Sequence, residues 1–169
     1  MDWEERLAAH WATLDHSSAE VFLEGIEQLA AELPSPNAIA MFERAAALDS
    51  TGHSDLAVPR YRRALDLGLT GERRRRAVIQ LASSLRNIGG AEEGVELLRA
   101  EQAEPSDAYD EAVAAVLALS LTTLGREREA VAVAVMALTK HMPRYKRSMT
   151  NYAAELLASD DEDEEQEGG

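Results

Sequence analysis

Apolar residues recur along this chain at the spacing of amphipathic helices. Near the start of the chain they are separated by four, four and three residues, at Trp3, Leu7, Trp11 and Leu14. Such spacing places side chains on one face of a helix. Later segments repeat the pattern, glycine or proline interrupts it between segments, and no segment alternates with the period of a strand. The sequence therefore predicts an all-α protein with helices near residues 2–14, 17–33, 36–50, 54–67, 72–88, 91–103, 108–124, 126–141 and 144–158.

Residues with capping chemistry precede the first three of these nine helices. Asp2 with Glu5 has the spacing of a capping box, and Ser17 stands in the same relation to the second helix. Ser35 followed by Pro36 has the pattern of an N-cap with proline in the first turn. These residues predict where the first three helices begin.

Three glycines recur at intervals of 37 and 36 residues between paired helices, at Gly52, Gly89 and Gly125. A residue with a small side chain stands seven positions before each glycine, at Ala45, Ala82 and Ala118. Another stands five positions after each glycine, at Ala57, Gly94 and Ala130. Tyr61 follows four positions after Ala57. Because small side chains let two helices approach and glycine turns the chain between them, this pattern predicts a repeated helix hairpin.

This arrangement resembles the tetratricopeptide repeat, a helix–turn–helix unit of about 34 residues, in the degenerate form of bacterial proteins. The resemblance implies a right-handed α-solenoid of antiparallel hairpins over residues 1–158. Its expected parts are an N-terminal hairpin at 1–33, repeats at 34–69, 70–106 and 107–142, and a capping helix at 143–158. The alternative is an irregular antiparallel helical bundle in which the small residues recur by chance.

The resemblance also implies a concave groove lined by the first helix of each repeat. The candidate partner groove comprises Phe42, Arg76, Ile79, Ser83, Arg86, Asn87 and Leu119. The Lys and Asn with which some members of the family clamp a peptide carboxylate are absent from the matching positions. We therefore expect an apolar groove with an arginine edge, suited to an amphipathic helix or an extended segment that carries some acid. Partner binding there would require Phe42 and Ile79 to be partly exposed.

The alternative for the groove is that Phe42, Ile79 and Leu119 simply pack against neighbouring helices or against the final helix.

Two interpretations are also open for the four consecutive arginines from Arg73 to Arg76, which stand in the first turn of a helix, where cations are disfavoured. They could pair locally with surface acids such as Glu72, or they could offer a docking place for an anionic segment.

The charge of the chain is strongly negative, at −14, and seven acids lie in the final stretch 159–169. That stretch has no apolar residue with which to offset the entropy of ordering, so we predict a disordered acidic tail. The tail could serve solubility alone or could dock on another surface. Because affinity for nucleic acid comes largely from phosphate neutralisation, the acidic chain disfavours a nucleic-acid partner.

The sequence offers no recognisable catalytic chemistry. There is no cysteine, and the four histidines lie in different segments without the spacing of metal ligands. We expect no catalytic, cofactor or metal site, and no membrane span. The resulting hypothesis is a cytoplasmic, non-catalytic protein–protein interaction module that binds a protein or peptide in its groove. A homo-oligomer is compatible with this hypothesis. The alternative is an accessory subunit whose groove is filled by its own C-terminal helix and which binds through its outer surface.

Overall fold

The computed structural model describes the backbone of residues 1–167 and the side chains of residues 1–158. Within this part the chain forms α-helices and one 3-10 turn, Leu14–His16, and no strand. The helices are α1 Trp3–Trp11, α2 Ala19–Ala31, α3 Ala38–Ser50, α4 Ser54–Asp66, α5 Gly71–Asn87, α6 Ala91–Gln102, α7 Asp110–Thr123, α8 Glu127–Thr139 and α9 Lys146–Glu167. The predicted all-α fold of nine helices is confirmed for the described residues.

The chain divides into two compact units, Met1–Ile88 and Gly89–Gly169. In the first unit α2 packs on α3, α3 on α4 and α4 on α5, so neighbours in sequence are neighbours in space. In the second unit α6 packs on α7, α7 on α8 and α8 on α9. Each unit is therefore built by stacking consecutive helices, as a hairpin repeat requires.

The cores of the two units differ in the size of their side chains. The largest fully buried side chains of the first unit include the aromatic Phe22, Phe42 and Tyr61, whereas those of the second are the aliphatic Leu98, Leu117, Leu121 and Val113 together with the acidic Glu101. Small residues occupy the remaining interior: Ala45, Ala57, Ala82, Gly94 and Ala130 are buried, and Ala118 is half-buried.

The turns after α3 and α7 have the same geometry. The His53 N–H donates to the Leu48 carbonyl at 2.8 Å, and the Arg126 N–H donates to the Leu121 carbonyl at 3.0 Å. The preceding glycines have φ of +86° and +74°, which a side chain would strain. This bond runs from the second residue past the C-cap, Thr51 or Leu124, to the last turn of the helix, and it is that of a Schellman motif. The spacing of glycines in the sequence thus corresponds to a repeated backbone turn.

The first helix begins as predicted, and the next two begin later. The Asp2 carboxylate accepts from the Glu5 N–H, and the Glu5 carboxylate accepts from the Asp2 N–H, which completes the capping box. Ser18, not Ser17, caps α2. The prediction that Ser35 and Pro36 open α3 is wrong, because the Asn37 side chain accepts from the Ala40 N–H at 3.0 Å and caps the helix there.

The last helix extends past residue 158, where the sequence predicted its end, since α9 is Lys146–Glu167. Within the second unit it packs along α8, and Ala153 is buried in that contact. The predicted disorder of the acidic tail, 159–169, falls on residues whose side chains lie outside the described part of the chain, and it stays a prediction.

Candidate functional site

Six of the seven predicted groove residues lie in the first unit, on α3 and α5, and Leu119 lies on α7 of the second unit. Helix α5 turns one side inward, and its buried side chains include Ala77, Leu81 and Leu85. At 100° per residue, the polar side chains of the helix fall within one arc on the opposite side. We call this arc the α5 face, and its members are Arg76, Gln80, Ser83, Arg86 and Asn87.

A buried carboxylate on α3 fixes the start of α5. Glu43 is 3% exposed, and its two oxygens accept from Trp11 Nε1 and from Arg73 Nε, each at 2.9 Å. The guanidinium of Arg73 also donates to both oxygens of Glu4 on α1, at 3.0 and 2.5 Å. These bonds to Glu4 and Glu43 raise the pKa of Arg73. Arg73 therefore joins α1, α3 and α5, and it serves the fold rather than a ligand.

A second polar network fixes the end of α5. The Ser84 hydroxyl is fully buried and donates to the Asp49 carboxylate on α3 at 2.7 Å. Ser54 on α4 donates to the same Asp49 oxygen at 3.2 Å. The Asn87 amide in turn donates to the Ser54 hydroxyl at 3.2 Å. The predicted groove residue Asn87 is thus exposed on the α5 face and held in place by the networks beneath it.

The expected partial exposure of Phe42 and Ile79 is wrong. Phe42 is 0% exposed because the guanidinium carbon of Arg76 lies 5.3 Å from its ring centroid and because Tyr61 packs 6.2 Å from that ring. Ile79 is buried as well, at 8%. The first unit therefore presents arginine, where the sequence predicted an apolar groove floor.

The arginines of the α5 face have only weak partners. Arg76 lies 4.0 Å from the Glu72 carboxylate, and its stacking on Phe42 holds the guanidinium in position. Arg86 donates to the Asn87 side-chain oxygen at 3.4 Å and forms no ion pair with any described residue. For comparison, Arg44 binds both oxygens of Glu27, at 2.7 and 2.6 Å. Arg76 and Arg86 therefore keep most of their capacity to bind an anion.

Two polar atoms of the same face are buried without a hydrogen-bond partner, namely Gln80 Oε1 and Arg86 Nε. Buried polar atoms in folded proteins are paired in about nine cases of ten. Gln80 Oε1 can only accept a hydrogen bond, and Arg86 Nε can only donate one. Sequence reasoning missed Gln80, which only its position between Arg76 and Arg86 on the helix could have indicated.

A cavity of about 560 Å³ opens where α3 and α5 begin. It is lined mainly by polar side chains and the ends of these helices, including Asn37, Ile39, Thr70, Glu72, Arg73 and Arg76. The Thr70 side chain makes no capping hydrogen bond to α5. Arg76 thus lies both on the α5 face and in the wall of this cavity.

A second cavity of the first unit, about 510 Å³, lies between α2, α3 and α4. Its walls are mostly apolar, with Leu23, Ile26 and Met41 among them, and Arg60 stands at its edge. The ion pair of Arg44 with Glu27 also lines it, and this pairing lowers the pKa of Glu27. The sequence analysis did not identify this cavity, because its walls come from three helices.

The described residues contain no grouping of three or more acidic or histidine side chains placed to hold a metal ion. His10 contacts the Phe22 carbonyl at 2.8 Å, and His141 contacts Glu111 at 3.1 Å, so these two histidines serve local contacts. None of the helices in the described part combines the length and apolar character that crossing a bilayer requires.

Comparison with known proteins adds to this geometry. The model of the family described as tetratrico peptide repeat matches residues 38–156, more than half of the chain. The chain is similar to a crystal structure from Podosopora anserina, described as kinesin light chain nearly identical TPR-like repeats. The two superpose with a TM-score of 0.68 at 20% sequence identity, over 96% of this chain and 90% of that chain. Among curated proteins, none matches. At this identity the structural likeness shows the fold alone.

Proposed function

Because the chain belongs to the tetratricopeptide repeat family, whose members generally mediate protein–protein interaction, we propose that it is a cytoplasmic, non-catalytic module that binds an acidic segment of a partner protein on the α5 face. The observation that carries this proposal is the pair Arg76 and Arg86, two half-buried cations on one helix side with weak partners in the described part of the chain. The fold is typical of interaction scaffolds rather than of enzymes.

The chemistry of the α5 face favours a peptide as the ligand. Arg76 and Arg86 are ten residues apart, so the helix separates them by about 15 Å. An extended peptide spans that distance with about five residues. Carboxylates at its two ends would bind the guanidinium groups of Arg76 and Arg86. The acidic balance of the whole chain makes nucleic acid a poor partner by comparison.

The test is an array of short peptides of varied charge probed with labelled full-length protein. We expect wild type to bind a set of acidic peptides and the variant R76E/R86E to lose that set. Its melting temperature should fall only modestly, by the loss of the cover that Arg76 gives to Phe42. The matched control is R60E/R63E on α4, which changes the charge equally. Equal binding by wild type and R76E/R86E would contradict the proposal, as would a large loss of stability, since the arginines would then be structural. Loss of peptide binding in R60E/R63E alone would assign binding to the second cavity, which Arg60 lines.

A second candidate function is that of an accessory subunit that binds through its outer surface. Val131 and Leu138, seven positions apart on α8, are 50% and 57% exposed and lie on one side of the helix. The variant V131S/L138S tests this candidate. Loss of binding in this variant, with R76E/R86E still active, would favour the outer surface over the α5 face.

A further inference from the structure

The side of α3 next to the second cavity is open, whereas the matching side of the later helices is closed. Met41, Arg44 and Leu48 line this cavity and are half-buried. At the 37- and 36-residue intervals of the repeat, their counterparts on α5 and α7 are all buried, namely Val78, Leu81, Leu85, Ala114, Leu117 and Leu121. The middle position is leucine in the later helices, but Arg44 extends its guanidinium to Glu27 instead of filling the interior. The cavity is therefore open because an arginine stands where the later repeats have leucine.

The two walls of the second cavity carry opposite charges. On α2, Glu20, Glu24 and Glu27 recur at intervals of four and three residues, which places them on one side of the helix, and the last two line the cavity. Glu20 and Glu24 are exposed and form no ion pair with a described residue. On α4, Arg60 lines the cavity, and Arg63 follows three positions later on the same side. One wall is therefore acidic and the other is basic.

The chain itself uses only part of this charge. Arg44 binds both oxygens of Glu27, and this is the main cause of the lowered pKa of Glu27, to which Arg60 contributes less and at longer range. Arg60 donates one N–H to the Leu56 carbonyl at 2.7 Å. Neither Arg60 nor Arg63 forms an ion pair with a described residue. The basic wall is thus available to an anion, as the first two acids of α2 are to a cation.

The second cavity has the size to hold the apolar side chains of a helix. A cavity of about 150 Å³ already holds benzene, so one of about 510 Å³ admits more than one such group. Leu23, Ile26 and Met41 give it an apolar lining. From Glu20 to Glu27 the acidic wall is about 10 Å long, which is two helical turns. A helix bound in a groove presents apolar side chains at i, i+3 or i+4, and i+7 over the same length.

We infer that the second cavity binds an amphipathic helix of a partner protein whose apolar stripe has basic residues along one flank and acidic residues along the other. The basic flank lies along Glu20 and Glu24 of α2, and the acidic flank lies along Arg60 and Arg63 of α4. Because the two walls differ in charge, they also fix the direction of the bound helix. A purely acidic segment, as proposed for the α5 face, would meet the acids of α2. The two surfaces therefore select different ligands, and R60E/R63E stays a valid control for the α5 face.

The experiment measures the fluorescence anisotropy of labelled helical peptides with the full chain at about 150 mM salt, where charges more than about 8 Å apart are screened. Three peptides share one leucine stripe. The mixed peptide has Lys along one flank and Glu along the other, and the other two carry Lys or Glu on both flanks. We expect wild type to bind the mixed peptide at least about fivefold more tightly than either of the others.

Charge reversal of the basic wall should change which peptide is preferred. In R60E/R63E both walls are acidic, so the peptide with Lys on both flanks should bind more tightly than the mixed peptide. The control R144E/R147E has the same change in net charge on exposed residues of the second unit. It should keep the wild-type preference, which separates the wall charges from general attraction to an acidic chain.

A substitution in the apolar lining tests the cavity itself. Leu23→Asp places a charge in the cavity and should abolish binding of the mixed peptide. Val21→Asp introduces the same charge on another side of the same helix, at a residue that is 59% exposed, and should leave binding unchanged. Far-ultraviolet circular dichroism checks that these variants fold. If Leu23→Asp does not fold, the change of preference in R60E/R63E still decides.

Four results would each overturn the inference. These are absence of binding to the mixed peptide, equal affinity of wild type for all three peptides, equal effects of R60E/R63E and R144E/R147E, and equal effects of folded Leu23→Asp and Val21→Asp. Binding of the dye anilinonaphthalene sulfonate, lost in Leu23→Asp, without binding of any peptide would assign the cavity to a small apolar ligand instead. None of these results bears on the α5 face, which the acidic peptides and R76E/R86E test separately.

Discussion

The two units of this chain are built from the same hairpin but are held together by different chemistry. In the first unit a nearly fully buried carboxylate, Glu43, binds side chains from two other helices, and Asp49 accepts from a fully buried serine. The second unit also buries one carboxylate, Glu101, at 2% exposed. Its ion pairs between Lys140 and Asp110 and between Arg99 and Glu129, however, have half-exposed cations. Packing of alanine, valine and leucine side chains also stabilises the second unit.

The difference teaches how a degenerate repeat folds without an aromatic side chain such as Tyr61 in its interior. Where Tyr61 remains, bulky rings fill the interior and polar groups fix their placement. In the second unit small and aliphatic side chains fill the corresponding space, and exposed pairs add little. We therefore expect the first unit to respond strongly to removal of single polar groups. The second unit should respond to changes in side-chain volume and, weakly, to salt.

The largest effect is expected from Glu43→Ala. It leaves Arg73 Nε and Trp11 Nε1 without their acceptor, and breaking a buried pair in this way costs about 3–5 kcal/mol of unfolding free energy. Chemical denaturation measures this loss. The control Glu96→Ala, on the exposed surface of α6, should stay within about 0.5 kcal/mol of wild type. A similar small loss in both variants would show that the Glu43 network is dispensable.

A smaller effect is expected from Ala57→Leu. Ala57 is 0% exposed, so the added side chain overpacks the hairpin and should destabilise it by about 1–3 kcal/mol. The same substitution at the exposed Ala31 of α2 is the matched control. A melting temperature of Ala57→Leu equal to that of wild type would show that the repeat alignment is wrong at this position.

The two turns with the same geometry offer a direct comparison between the units. Gly52→Ala and Gly125→Ala each force a side chain into the left-handed region, with an expected cost of about 1–2 kcal/mol. Space around both glycines is open, so the cost comes from the backbone alone. Thermal unfolding of the two variants should therefore give nearly equal losses. A loss at only one position would show that the turns are not equivalent.

The smallest effect concerns Asp110, a half-buried carboxylate of the second unit. Hydrogen bonds from the Ser106 hydroxyl and the Asp107 backbone, with a smaller contribution from Lys140, lower the pKa of Asp110 to about 2. A lowered pKa stabilises the fold above the unfolded value, near 4, and this stabilisation is lost as the pH falls through about 2. Titration by nuclear magnetic resonance should show a larger rise of the Asp110 pKa in Ser106→Ala than in Lys140→Ala. The reverse order would contradict the assigned cause.

Local features of this fold could be predicted from the sequence, whereas the long-range contacts could not. Helix periodicity and turn glycines are properties of short segments, so the nine helices within residues 1–167 and the turn at Gly52 followed from spacing. The burial of Phe42 depends on Arg76, which is 34 positions away, and no local pattern indicates that contact. Likewise the partners of Arg73 include Glu4, 69 positions away. The repeat positions indicated α5 as a candidate binding helix. They did not indicate that Arg73 forms ion pairs within the fold.

The contrast between buried and surface electrostatics is tested most directly by amide hydrogen exchange of the full chain in low and high salt. Both units experience the same solvent, so general salt effects cancel in their difference. Because salt screens exposed pairs far more than buried ones, we predict that high salt lowers protection in α7 and α8 and leaves α3 and α5 nearly unchanged. Equal loss of protection in both pairs of helices, or a larger loss in α3 and α5, would contradict the account.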